Sequence, residues 1–164
     1  MNVRCFIKRL APLGAGLFAA ALWAGDTALS DGQNAENLAG QTNVGGAAVY
    51  TQGAPYNSAS LDGFNSPYDV AIDTTNHRLF VADTTSHRIL QYDLDSSNIL
   101  ANRSADRVIG QADFSSNGSA TAINRLNLPT GLEFNPALNY LFVADYLSNR
   151  VLVFDVTTVT NGEN

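Results

Sequence analysis

From residue 67 onward the apolar positions come in short runs separated by turn-forming residues. Tyr68 to Asp73 reads YDVAID, Arg78 to Asp83 reads RLFVAD, and Arg88 to Asp93 reads RILQYD. Runs this short leave no room for a helix, and their β-branched and aromatic content suits strands. Asp73-Thr74-Thr75-Asn76 and Thr84-Thr85-Ser86 lie between them, and such side chains bond their own backbone in turns. Pro67 stands at the start of the first strand, where a missing N–H does no harm. Arg78 to Asp83 is apolar at successive positions, which predicts a strand covered on both faces. A further run, Arg107 to Gln111, follows residues 94–106 and completes a four-stranded antiparallel meander.

The plan is repeated. LFVADTTSHRILQYD at residues 79–93 returns as LFVADYLSNRVLVFD at residues 141–155, at a constant offset of 62. Over residues 66–94 and 128–156 the alignment has no gap and ten of 29 positions are identical. The second unit therefore holds strands at Leu132 to Phe134, Tyr140 to Asp145 and Arg150 to Val156, but not a fourth. A weaker repeat sets AENLAGQ at residues 35–41 over ADRVIGQ at residues 105–111, so an isolated fourth strand is expected near 35–41. A fixed-period repeat marks units that bury their apolar faces against one another. The organisation expected is an outer strand and polar loop over 31–66, a first unit over 67–111, and a loop with an incomplete second unit over 112–164.

With strands of the form P-x-x-[VL]-x-[IF], then L-F-V-A-D, then S-[HN]-R-[IV]-L-x-[YF]-D, the two units resemble NHL repeats, the blade modules of a family of β-propellers. The A-x-x-x-x-G-Q element at residues 35–41 and 105–111 is similar to that of secreted bacterial members with long blades. The resemblance implies an all-β fold, a partial β-propeller of four-stranded antiparallel blades with about two blades present. Propellers close with roughly four to eight blades. The chain is accordingly read as the N-terminal part of a longer propeller, its partners being the remaining blades. The alternative is a short chain that completes a ring by self-association. Val151, Val153 and Phe154 are expected to lack a neighbour, and Phe80 and Phe142 to be core.

Composition modifies this picture at the N-terminus. Arg4, Lys8 and Arg9 precede an uncharged, mostly apolar run from Leu10 to Gly25, followed by Asp26 and Asp31. That order is expected of a secretory signal peptide over residues 1–30, which puts the protein in a secreted or periplasmic location with no membrane span after cleavage. Cys5, the sole cysteine, falls inside it. The whole chain carries a net charge of −6. Without residues 1–30 the balance is six Arg against 14 acidic groups, or −8, which disfavours nucleic acid and anionic membranes as partners.

Up-and-down connectivity sorts the candidate residues by side. The second-to-third-strand turns and the long polar loops 42–66 and 112–128 emerge on one side, where binding tends to live on a rigid scaffold. Asp83, Thr84, Thr85, Asp145 and Tyr146 are the candidate ligand-binding residues of this loop face. Asp83 and Asp145, ending the second strands, could look toward a central channel or simply accept turn N–H groups. Tyr50, Tyr56, Phe64, Phe114 and Tyr146 are aromatic candidates there, which packing over the blade tops would equally explain. His77 and His87 fall on opposite sides and do not make a metal site. Arg88 and Arg150 are expected to bond backbone or carboxylate between blades. No nucleophile motif, phosphate loop or cofactor fingerprint occurs, so no catalytic residue, metal or cofactor is assigned. The reading is a non-catalytic extracytoplasmic module for a protein, peptide or glycan. The alternative implied by the resemblance is part of a metal-dependent lyase or lactonase-like hydrolase whose site needs further blades.

Overall fold

The computed structural model describes residues 35, 37–42, 49–50 and 59–159. The chain divides into two compact units, Met1–Asn34 and Ala35–Asn164; the leader assigned to residues 1–30 lies outside the described residues. In the second unit β1 (Pro67–Asp73), β2 (Arg78–Asp83), β3 (Arg88–Asp93) and β4 (Arg107–Ile109) form one sheet in chain order. The strands β5 (Pro129–Asn135), β6 (Tyr140–Asp145) and β7 (Arg150–Asp155) form another. Every pairing is antiparallel. Among the described residues the fold is all-β, a partial propeller with one four-stranded and one three-stranded blade. Among the described residues no helix is long and apolar enough to cross a membrane.

Several boundaries differ from expectation, among them β7, which ends at Asp155 rather than Val156. The fourth strand stops at Ile109 because Gly110, at φ 86°, turns the chain out of the sheet. β5 starts at Pro129 because a bulge lets Pro129 pair with Asp145 before regular pairing begins at Gly131. Residues 37–41 form no strand, since none of the described strands runs beside them to accept pairing. Gly40 nevertheless turns as Gly110 does, at φ 88°.

The repeat is written into the backbone. Left-handed φ values occur at Ser66 and Leu128, at His77 and Asn139, and at His87 and Asn149, each pair 62 residues apart. Leu94 N–H donates to His77 O at 2.7 Å and Val156 N–H to Asn139 O at 2.9 Å, closing matching turns.

Strand alternation gives each blade two faces. The forward face of the first blade presents Ala71, Phe80, Ala82, Ile89 and Ile109, which form one cluster with Leu132, Phe134, Leu141, Val143 and Phe154 from the rear face of the second. Phe80 stacks on Phe134 with ring centroids 6.1 Å apart. Phe154, expected to lack a neighbour, is buried in this interface because pairing with Leu141 puts it on the rear face. Its neighbours Val151 and Val153 do face outward, 62% and 50% exposed. Phe142 shares their face and is only half-buried, which corrects its assignment to the core. The rear face of the first blade holds a second cluster, Val81, Leu90, Tyr92 and Val108, covered by Phe64 and Ala105.

Polar bonds also tie the blades. Leu132 N–H donates to Asp69 Oδ2 at 2.8 Å, joining the two innermost strands. On the side away from the loop face, Arg78 is bound to Asp73 and donates to Val156 O of the second blade.

Candidate functional site

The loop face is built on two matching single-turn 3-10 segments, Thr84–Ser86 and Tyr146–Ser148. Each is closed by a left-handed residue: His87 N–H donates to Thr84 O at 3.0 Å and Asn149 N–H to Tyr146 O at 3.2 Å. Thr85 N–H donates to Asn65 O and Leu147 N–H to Asn127 O, both at 3.1 Å. The lead-in to each blade is thus pinned to its β2–β3 or β6–β7 turn.

Beneath each turn lies an aspartate–arginine clip. Asp83 Oδ1 accepts Asn65 N–H at 2.6 Å, and its Oδ2 accepts Arg88 Nε–H at 2.7 Å. The outer nitrogens of Arg88 donate to Phe114 O at 2.5 Å, Ser60 O at 2.8 Å and Gly63 O at 3.1 Å. Both side chains are inaccessible to solvent. Burial pushes the Asp83 carboxyl above its usual range, against the pull of the Asn65 N–H and Arg88. The second blade repeats the arrangement: Asp145 accepts from Asn127 N–H at 2.6 Å and from Arg150 Nε–H at 2.8 Å. Arg150 also donates to Ala122 O and Arg125 O. The guanidinium forks were expected to bond between blades. They instead close a loop onto their own blade, because Asp83 and Asp145 stand directly opposite them in register. Only the bond from Arg88 to Phe114 O reaches the connection leading to the second blade.

The five candidate residues therefore divide. Thr85 and Tyr146 project outward, Tyr146 being 62% exposed. Asp83 and Asp145 are fully buried with their oxygens committed to the clips, and Thr84 is buried with Oγ1–H donating to Pro129 O at 2.6 Å. These three hold the face together from below and offer no ligand contact. Among the aromatic candidates, Tyr50 is exposed. Phe64 lies edge-on to Tyr92, with centroids 6.0 Å apart, and Phe114 packs on the same cluster. Tyr56 lies outside the described residues.

Two polar residues of this face have roles that the sequence did not specify. His87 Nδ1 accepts Leu128 N–H at 3.0 Å, which links the blades and requires that nitrogen to be unprotonated. Burial lowers the His87 pKa despite the nearby Asp145 and Asp83 carboxylates. Gln111 donates through Nε2 to His87 O at 2.9 Å and Gly118 O at 3.0 Å, so it anchors the 112–128 loop. The recurrence of Gly-Gln at residues 40–41 and 110–111 was the available signal.

Among the described residues no three His, Cys, Asp or Glu side chains are grouped to hold a metal. On the opposite side a groove of about 570 Å³ runs between the blades past Asn76, Arg78, Gln91, Asp93 and Arg107. Its charges are already paired, Arg78 with Asp73 and Arg107 with Asp93. What the loop face supplies chemically is a rigid surface of turn backbone, hydroxyl and phenol groups.

Residues 64–92 match the family model of the NHL repeat. The matched stretch runs from the Phe64 lead-in through β1, β2 and most of β3. No curated protein matches the chain.

Proposed function

For a chain that belongs to the NHL-repeat family by residues 64–92, we propose the role of an extracytoplasmic, non-catalytic binding module that engages a protein, peptide or glycan through its loop face. The observation that carries this reading is the pair of buried clips. Asp83 with Arg88 and Asp145 with Arg150 fix the lead-in loops from below, while Thr85, Tyr146 and Leu147 remain outward. A preorganised rim with an exposed phenol suits recognition, because little side-chain freedom remains to be lost on binding. The carboxylates that a metal-dependent lyase or hydrolase could recruit from these blades are the ones consumed in the clips, which favours recognition over chemistry. The basic and apolar order of residues 1–25 supports export.

The test is binding of the labelled full chain to a panel of soluble glycans and extended peptides, repeated with a Thr85→Arg, Tyr146→Ala variant. At least one member should bind, and the variant should lose tenfold or more in affinity. A panel without a binder, or binding that the variant retains in full, would sink the proposal. Export is tested separately by fusing residues 1–30 to a reporter that is active only outside the cytoplasm.

A further inference from the structure

The contact between the two blades is head-to-tail, and the chain carries a second copy of each half of it. The rear face of the second blade presents Leu132, Phe134, Leu141, Val143, Leu152 and Phe154. At the same offset of 62 the rear face of the first presents Val70, Ile72, Leu79, Val81, Leu90 and Tyr92. The forward faces match likewise, Phe80, Ala82 and Ile89 against Phe142, Ala144 and Val151. One forward face and one rear face meet inside the chain. Of the remaining two, the rear one leaves Val70 59% and Ile72 49% exposed, and the forward one leaves Val151 and Val153 at least half exposed. A shallow depression over Phe142, Ala144 and Val151 lies on that open forward face. Over the equivalent Phe80 the internal contact seats Phe134, whose counterpart on the rear face is Ile72.

The fourth strand is distributed in the same way. In the first blade β4 pairs with β3, Ile89 opposite Ile109 and Gln91 opposite Arg107. A Cβ on Gly110 would come 2.6 Å from Leu126, in the lead-in to the next blade. A Cβ on Gly40 would collide with Phe64, in the lead-in to the first blade. Gly40 and Gly110 share their φ, and Phe64 and Leu126 are 62 apart. Residues 37–41 thus sit against the rear of the first blade as β4 sits against the rear of the second, in the place of a fourth strand belonging to a blade behind. Among the described residues β7 has no strand on its outer edge, and an unpaired edge is a template for pairing.

We propose that the occupant of the open forward face is a second copy of this chain, docked by the rear face of its first blade, and that its residues 37–39 pair with β7 as the missing fourth strand. The register follows from offsets of 62 for β3 to β7 and of 105 − 35 = 70 for the outer strands. Val151 then stands opposite Ala39, Leu152 opposite Leu38 and Val153 opposite Asn37. A heterologous contact of this kind closes into a ring only if the rotation permits. Glu133 takes the place of Ala71 on the open face, so the contact between copies buries a carboxylate and is weaker than the internal one. The proposal is independent of what the loop face binds.

The experiment uses the full chain with Cys5→Ser. Sedimentation over a concentration series should reach at least twice the monomer mass. Ala39→Cys and Val151→Cys chains are then mixed under oxidising conditions; cross-strand Cβ spacings of about 4.5–5.5 Å lie near the reach of a disulfide. The mixture should give a disulfide joining position 39 of one copy to position 151 of the other, enriched at least fivefold over either chain alone. Two blocked chains, Val153→Asp and Ile72→Asp, should each remain monomeric and form one-to-one dimers when mixed, which also shows that both fold. A chain that stays monomeric throughout, association without the 39–151 bond, or blocked chains that do not complement each other would overturn the proposal.

Discussion

Arg88 and Asp83 face each other across β2 and β3 with Nε 2.7 Å from Oδ2, and solvent reaches neither side chain. A buried pair is a poor source of net stability compared with apolar packing, but removing one partner strands the other charge. Here three loop carbonyls also lose their donor. Arg88→Ala should therefore cost about 3–5 kcal/mol, and Arg88→Lys should recover only a part, since an ammonium cannot reproduce the planar fork. Arg150→Ala should cost clearly less, because its side chain is 25% exposed and water can replace it. Denaturant melts of the three variants check the order, and equal losses for Arg88→Ala and Arg150→Ala would contradict it.

Phe80 and Phe142 hold the same place in the two copies of the repeat but not in the packing. Phe80 is wholly buried and stacks on Phe134, whereas Phe142 lies half-covered on the open forward face. Phe80→Ala should destabilise by about 3–5 kcal/mol as a core truncation. Phe142→Ala should cost less than half of that in the dilute monomer. Melting at low concentration checks this, and a loss at Phe142 as large as that at Phe80 would show its ring to be core.

Most of the fold was legible in the sequence, and the reason is local. β2 and β3 coincide with their runs because a strand covered on both faces has to be apolar at successive positions, β6 repeats the run of β2, and turn residues bound all three. Phe142 was misread because repeat alignment reports equivalence of position, while burial depends on whether a following blade is present. The candidate site was legible only by side. Loop and turn placement follows from chain direction, but whether Asp83 looks outward or binds Arg88 depends on cross-strand register and on where Ser60, Gly63 and Phe114 come to rest. His87 was read only as unfit for a metal site, since its interblade bond depends on where Leu128 comes to rest; that bond needs only an acceptor, which the equivalent Asn149 also carries.

The His87 bond makes stability depend on pH with a defined sign. Its folded pKa lies below the ordinary 6.5, chiefly through burial, so the unfolded chain binds the proton more readily. That contribution is complete above the unfolded pKa and is lost as pH falls from about 6.5 toward the folded value. His87→Asn keeps an acceptor and suits the left-handed backbone that Asn149 already adopts, so it should flatten this part of the profile. Two aspartates act at lower pH. Burial raises Asp73, but Asn76 and Arg78 outweigh it and hold the carboxyl low, adding a loss as pH falls below the ordinary 3.8. Asp83, raised by burial, acts with the opposite sign. Thermal melts from pH 8 to 2 check the pattern, and equal slopes in wild type and variant between pH 6.5 and 5 would remove His87 as the cause.

Gly110 ends β4 at φ 86°, where a Cβ would stand 2.6 Å from Leu126 Cδ1 and 2.8 Å from Cγ. Two costs fall on Gly110→Ala: the left-handed backbone, about 1 kcal/mol or more for a residue with a Cβ, and displacement of a fully buried leucine. Together they should lower stability by about 2–4 kcal/mol, within the range of overpacking added to backbone strain. The two costs separate on a Leu126→Ala background, where the clash is relieved and only the backbone cost remains. Gly110→Ala should then lose about 1 kcal/mol less than it does in the wild type, a coupling characteristic of side chains in contact. A double-mutant cycle by denaturant unfolding measures this term, and strict additivity would mean that the chain turns at Gly110 for its backbone alone.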